Sequence, residues 1–148
     1  VTKAPFLIGR MMFGGYFLYN GINHFVHTKE LAQYAGARHV PKAEAAVRAT
    51  GATMLIGGAS ILLGVKPKFG AAAIIGFLGA TLPSIHSFWT DEDPQARQSN
   101  TIHFAKNLAL LGAALALAGV EEPWPASVGH KPTLVERAKK TAWKVLAA

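Results

Sequence analysis

The 148-residue sequence predicts an all-α protein, an integral membrane four-helix bundle followed by a C-terminal amphipathic surface helix. Three observations carry this. Only 16% of residues are charged against 51% hydrophobic, whereas soluble domains carry about 25% charged residues. The missing charge is concentrated, since residues 49–65 and 69–89 hold no Asp, Glu, Lys or Arg at all. Finally, four apolar segments, at about 5–25, 45–65, 69–89 and 102–120, reach the roughly 17–25 residues that a spanning helix needs. The same composition excludes a disordered chain, which requires low hydrophobicity and high charge. The absence of cysteine excludes disulfides, thiolate metal sites and a thiol relay on this chain.

The first segment, PFLIGRMMFGGYFLYNGINHF, is apolar apart from Arg10, Asn20, Asn23 and His24. It is too long for a signal-peptide core, and Arg10 interrupts it. Arg10 lies near one end and is expected to extend its guanidinium to the interface. Asn20, His24 and His27 fall within about 60° on a helical wheel and so share one face. Residues 26–44 read as a polar hinge with a short amphipathic turn before Pro41.

The second and third segments are joined by a tight basic turn, Lys66-Pro67-Lys68. The third is apolar on every side, and its Ala72, Gly76 and Ala80 form the small-residue seam along which membrane helices approach closely. Residues 90–101, TDEDPQARQSNT, are an acidic loop with Thr101 as the expected N-cap of the fourth helix. That helix opens with His103, Lys106 and Asn107 before an uncharged run, LALLGAALALAGV.

Residues 121–132 form a proline-broken linker, so the chain divides into a four-span domain, 1–120, and a tail, 121–148. Thr133 and Glu136 make a capping-box pattern, and residues 133–148 then read as a basic amphipathic helix. Leu134, Val135, Ala138, Ala142, Val145 and Leu146 take one side, while Arg137, Lys140 and Lys144 gather on the other. Arg137, Lys140, Trp143 and Lys144 are the expected contacts to a membrane surface or a protein partner. The excess of 15 Lys and Arg over 8 Asp and Glu gives a formal charge of +7. No recognition motif for nucleic acid accompanies it. An even number of spans puts Lys3, Lys66, Lys68 and the basic tail on one side, so both termini are expected in the cytoplasm.

At the opposite ends of the spans, His24, His86, His103, Lys106 and Asn107 converge on one level of the membrane. Neutral imidazoles and amides at such a rim can hydrogen-bond a quinone carbonyl or ligate haem or a metal. They can equally be polar helix ends satisfied by one another. No HExxH-type spacing designates a metal ion, and no GxSxG motif designates hydrolysis.

Those same residues carry a resemblance. The stretch 86–119, HSFWTDEDPQARQSNTIHFAKNLALLGAALALAG, closely resembles the third-span end, loop and fourth span of the DoxX family. Its most specific part is the KNLALLG run, 106–112, with His103 and Phe104 before it. The glycine-rich GATMLIGGASILLGVKPKFGA stretch and a first span with Arg10 early and Asn20-Gly21 late are similar to the family pattern too. The resemblance covers about residues 5–120 and leaves the tail outside. It implies a small four-span protein of a prokaryotic cytoplasmic membrane. Family members are associated with quinone-linked oxidoreductases, including thiosulfate:quinone oxidoreductase and quinol oxidase assemblies, and others with oxidative-stress enzymes.

The resemblance also implies a shared site or folding motif at His86, Trp89, Asp93, Arg97, His103, Lys106 and Asn107. Lys106 could then pair with Asp93, Arg97 with Asp91 or Glu92, and Trp89 could anchor at the interface. The expected role is an accessory membrane subunit of a redox or energy-transducing complex, with the bilayer and other membrane subunits as partners, rather than a stand-alone enzyme. A quinone- or cofactor-binding oxidoreductase subunit acting through the polar cluster is the alternative. A small-molecule carrier is a weaker one, because only Pro83 interrupts a span.

Overall fold

The computed structural model describes residues 3–129, 131 and 134–146. In chain order the helices are α1 (Lys3–Val26), α2 (Thr28–Ala37), α3 (Ala43–Leu63), α4 (Pro67–Ile85), α5 (Pro94–Ala118) and α6 (Leu134–Leu146), with a 3-10 turn, Phe88–Thr90, between α4 and α5. No strand occurs among the described residues. Helix α1 packs along α3, α3 along α4 and α4 along α5, while α2 lies over the start of α3. Among the described residues, three stretches are long and apolar enough to cross a membrane: Ala43–Leu63, Pro67–Thr90 and Pro94–Ala118. At 24 residues α1 is as long, but its polar side chains set it apart from those three.

Local chemistry explains where the elements start and stop. Gly64, at φ 68°, ends α3 in the left-handed conformation that glycine adopts without strain. Pro67 then opens α4 at its first turn, where a missing N–H costs nothing. Pro83 interrupts the α4 hydrogen-bond ladder, and the helix stops at Ile85 rather than reaching residue 89.

The fourth long helix begins eight residues before the expected position 102. The Asp93 carboxylate accepts from the Ala96 N–H at 2.8 Å and Pro94 takes the first helical position, the strongest local start signal in this loop. Thr101 therefore lies inside α5 and donates back to the Arg97 carbonyl at 2.8 Å. The polar hinge also differs from expectation, because it holds the ten-residue helix α2.

The close helix contacts use glycines other than the expected seam. A Cβ on Gly58 would lie 2.9 Å from the Gly14 carbonyl oxygen and 2.9 Å from the Leu18 nitrogen, so the α1–α3 crossing requires glycine there. On the other side of α3, a Cβ on Gly57 would meet Ile74 at 2.9 Å. Ala72, Gly76 and Ala80 are instead exposed, Ala80 on the wall of a cavity between the helices. Packing against α3 runs through Gly70, Ala71 and Ile74.

The core joins Phe13 and Phe17 of α1, Met54 and Ile61 of α3, Ile74 and Leu78 of α4 and Ala114 of α5. Trp124 from the linker completes it, 1% exposed and edge-on to Phe6 at 5.2 Å. Arg10 does not reach for the interface as its position suggested. It is 3% exposed and donates to the carbonyls of Pro125 at 2.8 Å and Ala126 at 3.2 Å. The linker supplies acceptors for the two terminal nitrogens that water would otherwise provide, and Nε is buried without a partner among the described residues. Val128 N–H adds a bond to the Leu63 carbonyl at 2.9 Å. Residues 124–128 are thereby fastened to the end of the bundle where α1 begins and α3 ends.

Helix α6 is amphipathic, and Leu134, Val135, Trp143, Val145 and Leu146 are all exposed. The expected cap, Thr133, and the side chains of Glu136 and Lys140 lie outside the described residues.

Candidate functional site

At the other end of the bundle the helices part around a cavity of about 400 Å³. Its base is apolar and aromatic, formed by Phe17, Met54, Phe77 and Leu78. Leu31, Tyr34 and Ala35 of α2 cover it, at an i, i+3, i+4 spacing that puts one face of that short helix over the opening. His24, His86, Lys106 and Asn107 all line it, as does Asn20.

On α1, Tyr16, Asn20 and His24 follow at four-residue intervals on one face. The Asn20 amide donates to the Tyr16 carbonyl at 2.8 Å. His24 Nδ1 lies 2.9 Å from the Asn20 carbonyl. A carbonyl only accepts, so Nδ1 carries the proton and Nε2 is the ring atom left for a ligand. His27, which shares that wheel face, is exposed at the break between α1 and α2 and does not line the cavity.

From α5, Lys106 places its ammonium 5.9 Å from the centre of the Tyr16 ring, within cation–π range. This contact bridges α5 and α1 at the cavity wall. Asn107 differs in kind. It is 7% exposed and lines the cavity; its amide makes no side-chain hydrogen bond among the described residues and is open to the cavity rather than sealed in the core. The threonine and serine hydroxyls of the wall are by contrast satisfied within their own helices, Thr50 by Ala46, Thr81 by Phe77 and Ser84 by Ala80.

His86 stacks on His103, with ring centres 5.3 Å apart and planes 19° from parallel. His103 itself is exposed and lies outside the lining. Behind His86 runs a polar network. Asn100, 4% exposed, accepts from the Tyr34 hydroxyl at 3.1 Å, sits 3.4 Å from His86 Nδ1 and donates to Asp91 at 2.8 Å. Asp91 in turn pairs with Arg38 at 2.8 Å. The network ties the cover helix α2 to the α4–α5 loop and to α5.

The pairings expected in that loop are replaced. Asp93 caps α5 instead of meeting Lys106. Arg97 binds the Asp91 main-chain carbonyl, at 3.0 and 2.7 Å, rather than a carboxylate. Trp89 is 54% exposed and packs against Phe88 and Phe104.

Sequence reasoning missed Tyr34, Arg38 and Asn100. The first two were legible in principle, because Leu31, Tyr34, Ala35 and Arg38 keep an i, i+3, i+4, i+7 pattern across the polar hinge. Asn100 carried no signal while α5 was expected to begin after it. Among the described residues no group of three His, Asp or Glu side chains could hold a metal ion.

Comparison with known proteins adds one match. The model of the family described as DoxX matches residues 6–87, more than half of the chain, from α1 to just beyond α4. The KNLALLG run lies beyond the matched region, so the likeness there rests on the sequence pattern itself. No curated protein and no solved structure matches.

Proposed function

The chain belongs to the DoxX family, and from that premise we propose that it is a four-span subunit of a redox complex whose cavity receives a quinone-type headgroup. The observation that carries this is Asn107, whose amide opens onto the cavity wall and makes no side-chain hydrogen bond among the described residues. Its donor and acceptor are not used by the described residues, and the donor is free for a ligand carbonyl, at about 0.5–1.5 kcal/mol for such a bond. Lys106 Nζ and the Asn107 amide are donors for ring carbonyls, and His24 Nε2 is an acceptor for a hydroxyl. Phe17 and Phe77 provide apolar surface for a flat ring. The volume, about 400 Å³, falls in the range of small-molecule sites. A bound quinone would supply two-electron, two-proton chemistry. This chain's residues hold the ring, exclude water beneath α2 and accept or donate hydrogen bonds at the carbonyls.

Membrane insertion of α1 as the fourth span follows from where its polar groups go. Arg10 is buried against the linker and Asn20 and His24 line the cavity, while Ile8, Met11, Met12, Tyr19 and Ile22 face outward. The basic residues Lys3, Lys66 and Lys68 at the linker end favour a cytoplasmic position for both termini in a prokaryotic inner membrane. Helix α5 buries only 11% of its span within the chain, which leaves a broad face for other subunits. Single cysteines replacing Lys66 and Asp93 are expected to react from opposite sides of intact cells, and labelling from one side would refute this topology.

The binding reading is tested with the full chain in nanodiscs, titrated with a short-chain benzoquinone and followed by calorimetry. Saturable binding that Asn107→Leu and Lys106→Met abolish, with unfolding temperature retained, supports it. Undiminished binding in Asn107→Leu, or none in the wild type, overturns it. A structural role suits His103, which only stacks on His86 from outside the lining. His103→Gln is therefore expected to lower stability without a separate binding defect.

A further inference from the structure

We propose that α6 lies in the headgroup layer of the leaflet at the Arg10–Trp124 end of the bundle and binds anionic lipid there. Its position follows from the anchoring of the linker. Arg10 holds the carbonyls of Pro125 and Ala126, Trp124 is buried in the core, and Val128 is hydrogen-bonded to Leu63 at the end of α3. From Val128 to the start of α6 at Leu134 the chain can reach only about 20 Å, at roughly 3.3–3.6 Å per residue. The opposite membrane surface is about 30 Å away, the length of α3 at 1.5 Å per residue. Helix α6 therefore cannot reach the opposite membrane surface and stays at the end where the bundle begins. With 13 residues it is also too short to cross a bilayer.

Its faces suit that surface. Leu134, Val135, Ala138, Ala142, Val145 and Leu146 occupy an arc of about 120° at 100° per residue. Leu134 and Leu146 at its two ends are both 82% exposed. Lys139 and Trp143 border this arc on one side and Arg137 and Lys144 lie beyond its other edge, where long basic side chains reach up to phosphates while their stems stay in the apolar layer. Residues 131–146 carry five Lys and Arg against one Glu. Lys3, Lys66 and Lys68, at the same end of the bundle, extend the positive surface. A zwitterionic surface offers no net charge to such a face, whereas an anionic leaflet does.

Because the chain has no cysteine, single spin labels can be placed without background. Val145→Cys marks the apolar arc and Lys144→Cys the basic side, each in the full chain. The two are compared in nanodiscs of phosphatidylcholine alone and of phosphatidylcholine with phosphatidylglycerol. With anionic lipid, the Val145 label is expected to be accessible to oxygen and shielded from a water-soluble relaxant, and the Lys144 label the reverse. Replacing Arg137, Lys139 and Lys144 by Gln behind the Val145 label is expected to shift the insertion equilibrium by about tenfold or more toward water.

Equal insertion in both lipids would overturn the recognition of anionic headgroups. Water exposure in both would overturn the membrane position, and ordering of the label only on addition of another protein would assign the face to that partner instead. Should the triple variant fail to insert as a whole, the wild-type comparison between the two lipids still decides. None of these readouts involves the cavity.

Discussion

At the linker end of the bundle, Trp124 fills the space between α1 and its neighbours, and the two terminal nitrogens of Arg10 donate to main-chain carbonyls while its Nε is buried without a partner among the described residues. At the other end the same helices separate, and α2 covers the gap through side-chain bonds from Tyr34 and Arg38. Close glycine contacts between α1 and α3 run toward both ends, at Gly14–Gly58 and at Gly21–Gly51, but the first end is closed by a buried aromatic and main-chain hydrogen bonds. The second is held by polar groups at its rim and leaves a cavity between them. Stability is therefore expected to reside at one end and ligand chemistry at the other. The polar groups of the open end are where this chain deviates from an economical membrane bundle.

Substitutions can break that comparison. The largest effect is expected from Trp124→Ala, which empties the most voluminous fully buried side chain and should cost about 3–5 kcal/mol in unfolding free energy. If the protein in detergent instead tolerates it within experimental error, the linker is not part of the core. Gly58→Ala is next, since its Cβ would press on the backbone of Gly14 and Leu18. Overpacking of this kind costs about 1–3 kcal/mol, and a denaturant titration without a shifted midpoint would mean that α1 and α3 can move apart freely.

At the open end the effects on stability are smaller, and one of them has the opposite sign. Tyr34→Phe removes one hydroxyl from Asn100 and should cost about 0.5–1.5 kcal/mol. Faster ligand exchange is expected with it, because the cover helix loses a tether. Asn107→Leu should leave stability unchanged or raise it, since an amide that makes no side-chain hydrogen bond among the described residues gives way to an apolar group of similar size. A clear loss of stability in Asn107→Leu would show that the amide has a structural partner and would erase the contrast between the ends.

Much of the architecture is legible from hydropathy alone. Uncharged runs of the right length locate α3 and α4 within a few residues, and the 3.6-residue pattern of Leu134, Val135, Ala138, Ala142, Val145 and Leu146 marks α6. The polar residues His24, His86, Lys106 and Asn107 are conspicuous because little else in the spans is polar, and they do share one cavity. The helix start at Pro94 was present in the Asp93-Pro94 dipeptide and was hidden only by the weight given to the apolar run after residue 101.

Other features depend on the folded chain. In a bilayer the lipid-facing and core-facing positions of a helix are both apolar, so hydrophobicity does not sort inward from outward residues as it does in water. The exposed seam of Ala72, Gly76 and Ala80 and the buried pair of Gly14 and Gly58 therefore look alike in sequence, and only the approach of two backbones distinguishes them. Arg10 shows the same limit for polar groups. Its charge marks a cost that must be met, but the acceptors that meet it lie 115 and 116 residues away in the linker. Composition and spacing determine which elements form, because those are local properties of the chain. Which faces meet, and where space is left between them, is set by contacts between residues that sequence distance does not relate.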